Sequence, residues 1–140
     1  MRHPETDNEH KSEKPYDIRE RSMLFACDVV RIAQELHHRG RIAVELSIQL
    51  VNAAVNAAAN LDEADDGSSP RDFRAKDRIA LRELKESRRR LRILRLTGYL
   101  KEKHDHAIEE STELVKIVAT MIRNSERNEA QRALTKKPFP

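Results

Sequence analysis

Only three glycines occur in the 140 residues, Gly40, Gly67 and Gly98, and each falls where an apolar helical pattern stops. Between these breaks, apolar residues recur at steps of three and four, the spacing that keeps side chains on one face of a helix. Ala, Leu, Glu, Arg and Lys are abundant and tryptophan is absent, which favours long helices over a sheet. The fold class is therefore all-α. A hydrophobic share of 38% supplies one modest core rather than two.

Asp17 offers an N-cap, and Glu20 three residues later completes an approximate capping box. Ile18, Phe25, Val29, Ala33 and Leu36 continue as the stripe of a first helix, which Gly40 stops. A second helix is expected over about 41–64. Ile42, Leu46, Leu50, Ala53, Ala54, Ala57, Ala58 and Leu61 give it a face of mostly small residues that permits close helix approach. Residues 65–70 break the pattern. Ser69 as N-cap, Pro70 at the first helical position and Asp72 then mark a third start. Its buried stripe should be Phe73, Ile79, Ala80, Leu84, Ser87, Leu91 and Leu94. After a turn at Gly98, Tyr99 and Leu100, a fourth helix shows Ala107, Ile108, Ser111, Leu114, Val115, Val118, Met121 and Ile122 at helical steps, and the period fades after Arg127. Short turns join antiparallel neighbours, so the expectation is an up-down-up-down four-helix bundle over 16–127, with a flexible N-terminal arm, 1–15, and a flexible C-terminal tail, 128–140.

The third helix also carries a second pattern. Arg71, Arg74, Arg78, Arg82, Lys85, Arg89 and Arg92 follow one another at steps of three or four, forming a basic ridge about 32 Å long beside the core stripe. Residues 71–103 hold 13 Lys/Arg against 5 Asp/Glu, a local balance of +8, while the remainder of the chain sums to −5 within a total of +3. A long regular polyanion, RNA or DNA, suits such a ridge; a solvated helix face is the plainer alternative. A protein's acidic surface, including residues 62–66 of a neighbouring copy, is a further possible partner.

On the second helix a polar ladder, Glu45, Gln49, Asn52, Asn56, Asn60 and Glu63, runs beside the alanine face. Glu83 and Glu86 of the third helix lie on the flank opposite the arginines. Asparagine is a poor helix former, so this seam reads either as a solvated stripe or as a set of interhelix or intersubunit hydrogen bonds.

Catalytic and metal constellations find no support. A di-metal bundle needs two Glu-x-x-His motifs and only Glu35 with His38 is present; His37, His38, His104 and His106 point apart in pairs and read as solvated. The acidic turn fails as a calcium loop, with Ala64 at a ligand position and Phe73 where a closing glutamate belongs. No nucleophile triad or glycine-rich phosphate loop occurs, and no cofactor is implied. The aromatics Tyr16, Phe25, Phe73, Tyr99 and Phe139 are too scattered to stack bases. A lone Cys27 in an apolar helix reads as a core residue in a reducing cytoplasm. The polar stretch 1–14 lacks a signal-peptide core, and no stretch approaches a membrane span, so no membrane partner is expected.

Several segments resemble the small four-helix-bundle proteins encoded within intervening sequences of bacterial large-subunit ribosomal RNA genes. These are Tyr16-Asp17-Ile18-Arg19-Glu20-Arg21-Ser22, Asn60-Leu61-Asp62-Glu63-Ala64, Ala80-Leu81-Arg82-Glu83 with Glu86-Ser87-Arg88, and Leu91-Arg92-Ile93-Leu94. The resemblance implies self-association as a homopentamer and a role in binding RNA or DNA. It also extends to a related branch, the accessory variability protein of diversity-generating retroelements, which implies reverse transcriptase as an alternative partner. The chain departs from the pattern at Arg89 and Arg90, where relatives place an aromatic pair, and at Ala58, where a glycine is common.

Overall fold

The computed structural model describes residues 17–66 and 69–136, in which four helices follow one another: α1 (Ile18–Leu36), α2 (Arg41–Asp65), α3 (Pro70–Leu96) and α4 (Asp105–Thr135). The expected arm, 1–15, and residues 137–140 of the expected tail lie outside the described residues. Consecutive helices pack on one another, most extensively α2 on α3, and α1 also meets α4, giving an all-α up-down bundle.

Local chemistry sets the boundaries. Asp17 caps α1 by accepting from Arg19 N at 2.9 Å, and Ser69 caps α3 by accepting from Asp72 N at 3.1 Å, with Pro70 opening the helix. Gly40 and Gly98 adopt φ of +104° and +87°, a region that penalises a side chain, so the α1–α2 and α3–α4 reversals need glycine there. Past Gly98, Leu100 is fully buried rather than a surface turn residue, and a 3-10 turn, Glu102–His104, leads into α4.

The core is one cluster in which Phe25, Val29, Leu36, Leu50, Leu84, Leu91, Leu94, Leu114 and Val118 interlock around the alanines of α2. Small residues at the contacts let the helices approach, and four serines extend that role. Ser22, Ser47, Ser87 and Ser111 are buried, and each hydroxyl donates to a carbonyl of its own helix, so none is left unsatisfied. Ile42 was expected in the core but is 65% exposed, because it lies at the first turn of α2 where no neighbour covers it. Phe73 and Ile79 are half-buried, and Cys27 is half-buried rather than a core residue. Asp77 instead joins the interior of α3.

α4 runs to Thr135, so residues 128–135 of the expected tail are helical; Glu129 and Glu126 pair with α3, and Ala, Gln and Arg support the helix. α2 is long and apolar enough to cross a membrane by length and composition, contrary to the expectation that no stretch approaches this. Its alanine face, with Leu50 and Leu61, is buried in the bundle core.

Candidate nucleic-acid interface

The seven basic residues of α3 do not share one environment. Arg71, Arg78, Arg82, Lys85, Arg89 and Arg92 are exposed, on a face separate from the buried Ala80, Leu84, Ser87, Leu91 and Leu94. Arg74 is the exception and a correction to the ridge: it is 8% exposed, its guanidinium paired with Glu129 and donating to Ser125 Oγ at 3.2 Å. Helix α4 continues across it, which no count of positions within α3 could reveal.

The remaining six divide further. Arg78 reaches Glu126 at 2.8 Å, and Arg89 reaches Glu86 at 2.6 Å on its own helix. Among the described residues Arg82 has only the looser Glu83 at 3.9 Å. Arg71, Lys85 and Arg92 have no carboxylate within 4.0 Å among the described residues. A shallow groove of about 470 Å³ lined by Arg78, Leu81, Arg82, Lys85, Glu86 and Arg89 marks the middle of the face. Exposed ion pairs of the Arg78–Glu126 and Arg89–Glu86 kind are weak, within about 1 kcal/mol, so these two arginines can exchange partners. Arg82, Lys85 and Arg92 form the least encumbered stretch.

The polar seam splits between helices and solvent. Glu63 pairs with Lys76 at 2.8 Å across the α2–α3 contact, and Glu86 pairs with Arg90, which also donates to Gln49. Glu83 is half-buried beside Arg82. Asn52 and Asn56 are exposed, and Asn60 donates to its own helix at Asn56 O, 2.8 Å away. Among the described residues the asparagines make no interhelix side-chain bond, whereas Glu63 and Gln49 do, to Lys76 and Arg90 of α3.

Several polar residues were not foreseen. His104, read as solvated, is 5% exposed: its Nδ1 accepts from Lys101 N at 2.9 Å, which leaves Nε2 to donate to Glu35 at 2.8 Å. That hydrogen bond holds the Glu35 carboxyl below its ordinary value, against the opposing effect of desolvation. Together with the two-pronged Arg21–Glu110 pair at 2.7 and 2.9 Å, it ties α1 to the α4 side of the bundle. Asp77 is fully buried with neither carboxylate oxygen bonded, and desolvation pushes its value up to about 6. No group of three or more His, Cys, Asp or Glu residues suited to a metal occurs among the described residues.

On the opposite side, α1 and α2 leave an apolar groove of about 470 Å³, with Val30, Ala33, Val44, Ile48 and Val51 as its floor and His37 and His38 at one end. Met23 and Val55 are exposed on the same two helices.

Residues 14–120 match the family of 23S rRNA-intervening sequence proteins. The chain belongs to that family. A crystal structure of a protein of unknown function from the S23 ribosomal protein family of Bacteroides thetaiotaomicron is similar, with a TM-score of 0.70 and 27% identity, covering 76% of this chain and 98% of that one. No curated protein matches. Membership accounts for the helical bundle, and the solved relative carries no assigned activity.

Proposed function

We propose that this intervening-sequence protein is a non-catalytic nucleic-acid-binding protein of the cytoplasm, with RNA as its ligand and the outward face of α3 as its contact surface. The observation that carries the reading is the stretch Arg82, Lys85 and Arg92, exposed and without a close carboxylate apart from Glu83 at 3.9 Å from Arg82. Charges held apart from internal partners can neutralise phosphates, and such contacts position a nucleic acid without reading its sequence. Arg71 extends the surface toward the start of α3, and Arg89 joins once Glu86 is displaced.

Self-association is the second element. The apolar α1–α2 groove and the exposed Met23, Val30, Ile48 and Val55 form a face that a second copy can cover with a different patch of its surface, the head-to-tail contact that a ring requires. Pentameric assembly, implied by the resemblance, would then repeat the α3 surface around a ring.

The test is fluorescence anisotropy of a labelled 20-base-pair RNA duplex across salt concentrations, with the assembly's mass measured alongside. Neutralising about four phosphates per chain predicts a slope of log affinity against log salt near −4. Binding that ignores salt, or that survives R82E/K85E undiminished, ends the reading. The competing adaptor reading, with reverse transcriptase as partner, requires those variants to lose a protein contact while RNA affinity stays unchanged.

A further inference from the structure

The end of α4 is held to the bundle differently from the rest of the molecule. Among the described residues no side chain beyond Ile122 is buried, although the helix runs on to Thr135. What fastens this extension is polar: Glu126 to Arg78 at 2.8 Å, Glu129 to Arg74, and Ser125 accepting from Arg74 at 3.2 Å. Both arginines belong to the basic ridge, and the carboxylates that occupy them are themselves about half exposed. A helix segment without apolar anchorage opens at low cost, and phosphates compete with carboxylates for the same guanidinium groups.

We propose that the α4 extension is a strap over the first half of the ridge, displaced when a polyanion binds. Closed, it presents the short surface Arg82 to Arg92; opened, it exposes Arg74, releases Arg78 and joins all seven cations into one ridge. This rests on the nucleic-acid reading above and adds to it that affinity is held down by the protein's own Glu126 and Glu129. The extension also carries Arg127 and Arg132, so it could instead bind RNA where it lies, and the experiment must separate the two.

The full chain carrying E126Q/E129Q is compared with the unchanged protein, with R82E/K85E, and with D28N/E45Q, which removes the same charge from α1 and α2. The probe is the 20-base-pair RNA duplex. Loss of the strap's carboxylates is expected to raise affinity about tenfold at 100 mM salt, and both proteins should show a salt slope steeper than −4 by about two, since in both complexes the opened strap leaves Arg74 and Arg78 on phosphate. D28N/E45Q should change affinity less than twofold. Amide hydrogen exchange over residues 126–135 should speed up on adding RNA to the unchanged protein. Unaltered affinity in E126Q/E129Q while R82E/K85E abolishes binding overturns the strap and leaves the nucleic-acid reading standing. An equal gain in D28N/E45Q, or slowed exchange over 126–135, also overturns it. If neither the unchanged protein nor E126Q/E129Q binds RNA, both readings fall; if only E126Q/E129Q binds, the strap is upheld.

Discussion

Both halves of α3 carry cations at steps of three and four, in very different surroundings. In the second half, Leu84, Leu91 and Leu94 fill the core while Arg82, Lys85 and Arg92 stand in solvent. In the first half the division blurs: Arg74 is drawn under α4, and Asp77, one turn further on, is sealed inside with no partner. The comparison teaches that a ridge counted along one helix measures charge, not access. Access is decided by which side chains the neighbour brings alongside: α4 runs the length of α3, with Asp105 on Arg95 at the far end, yet among the described residues its carboxylates reach only Arg74 and Arg78 of the ridge.

The sharpest way to break this comparison is to change charge in each half separately. R82E/K85E should weaken binding of the RNA duplex by about a hundredfold or more, because two attractions become two repulsions, whereas Arg74→Met, which removes one cation of the opened ridge together with the tether that holds Glu129, should change affinity less than twofold in anisotropy titrations. Equal losses from both would erase the distinction.

Asp77 offers a pH test of the first half alone. Its folded value, about 6, lies above the ordinary 3.8, so the fold binds the proton more tightly than the unfolded chain does. The stability it contributes is whole below about pH 3.8 and is lost as pH rises through about 6. At pH 7.5 the deficit is on the order of 3 kcal/mol. Asp77→Asn should therefore stabilise the protein by about 1–2 kcal/mol at pH 7.5 in urea unfolding, less than the whole deficit because the amide also lacks partners, and the gain should vanish near pH 4. A constant difference across that range would show that the Asp77 carboxyl titrates alike in the folded and unfolded chain, so that burial does not raise its value.

Arg74→Met should lower stability by about 1 kcal/mol, since Glu129 is half exposed and can rehydrate. A loss above about 3 kcal/mol would make the pairing part of the core rather than a tether. Smallest is Gly98→Ala at the end of the second half, where nothing lies within 4 Å of an added Cβ, so only the positive φ opposes it. About 1 kcal/mol is expected in the same unfolding measurement.

Much of the fold was legible because it depends on periodicity within single helices. The three glycines, Ser69 with Pro70, and the alternation of Leu84, Ser87, Leu91 and Leu94 with charge are local signals, and the helices follow them. Ile42 failed because a helical step says which face a residue occupies, not whether a neighbour extends far enough to cover it. The candidate site was legible as a row of cations and illegible as a surface. The burial of Arg74 needs the antiparallel register of α3 and α4, and the one local signal for it, Glu126 and Glu129 at i, i+3, lies where the apolar period fades. His104 and Glu35 are 69 residues apart, and nothing local announces their bond.

The unencumbered stretch from Arg82 to Arg92 spans ten residues, about 15 Å of helix, less than half of the 34 Å that a double helix needs for one full turn. On the proposed function, a grip so short would hold a few neighbouring phosphates and let go readily. Tenacity would then come from number: the proposed assembly would set several such handholds at fixed spacing, so that a strand released by one copy would still be held by the next.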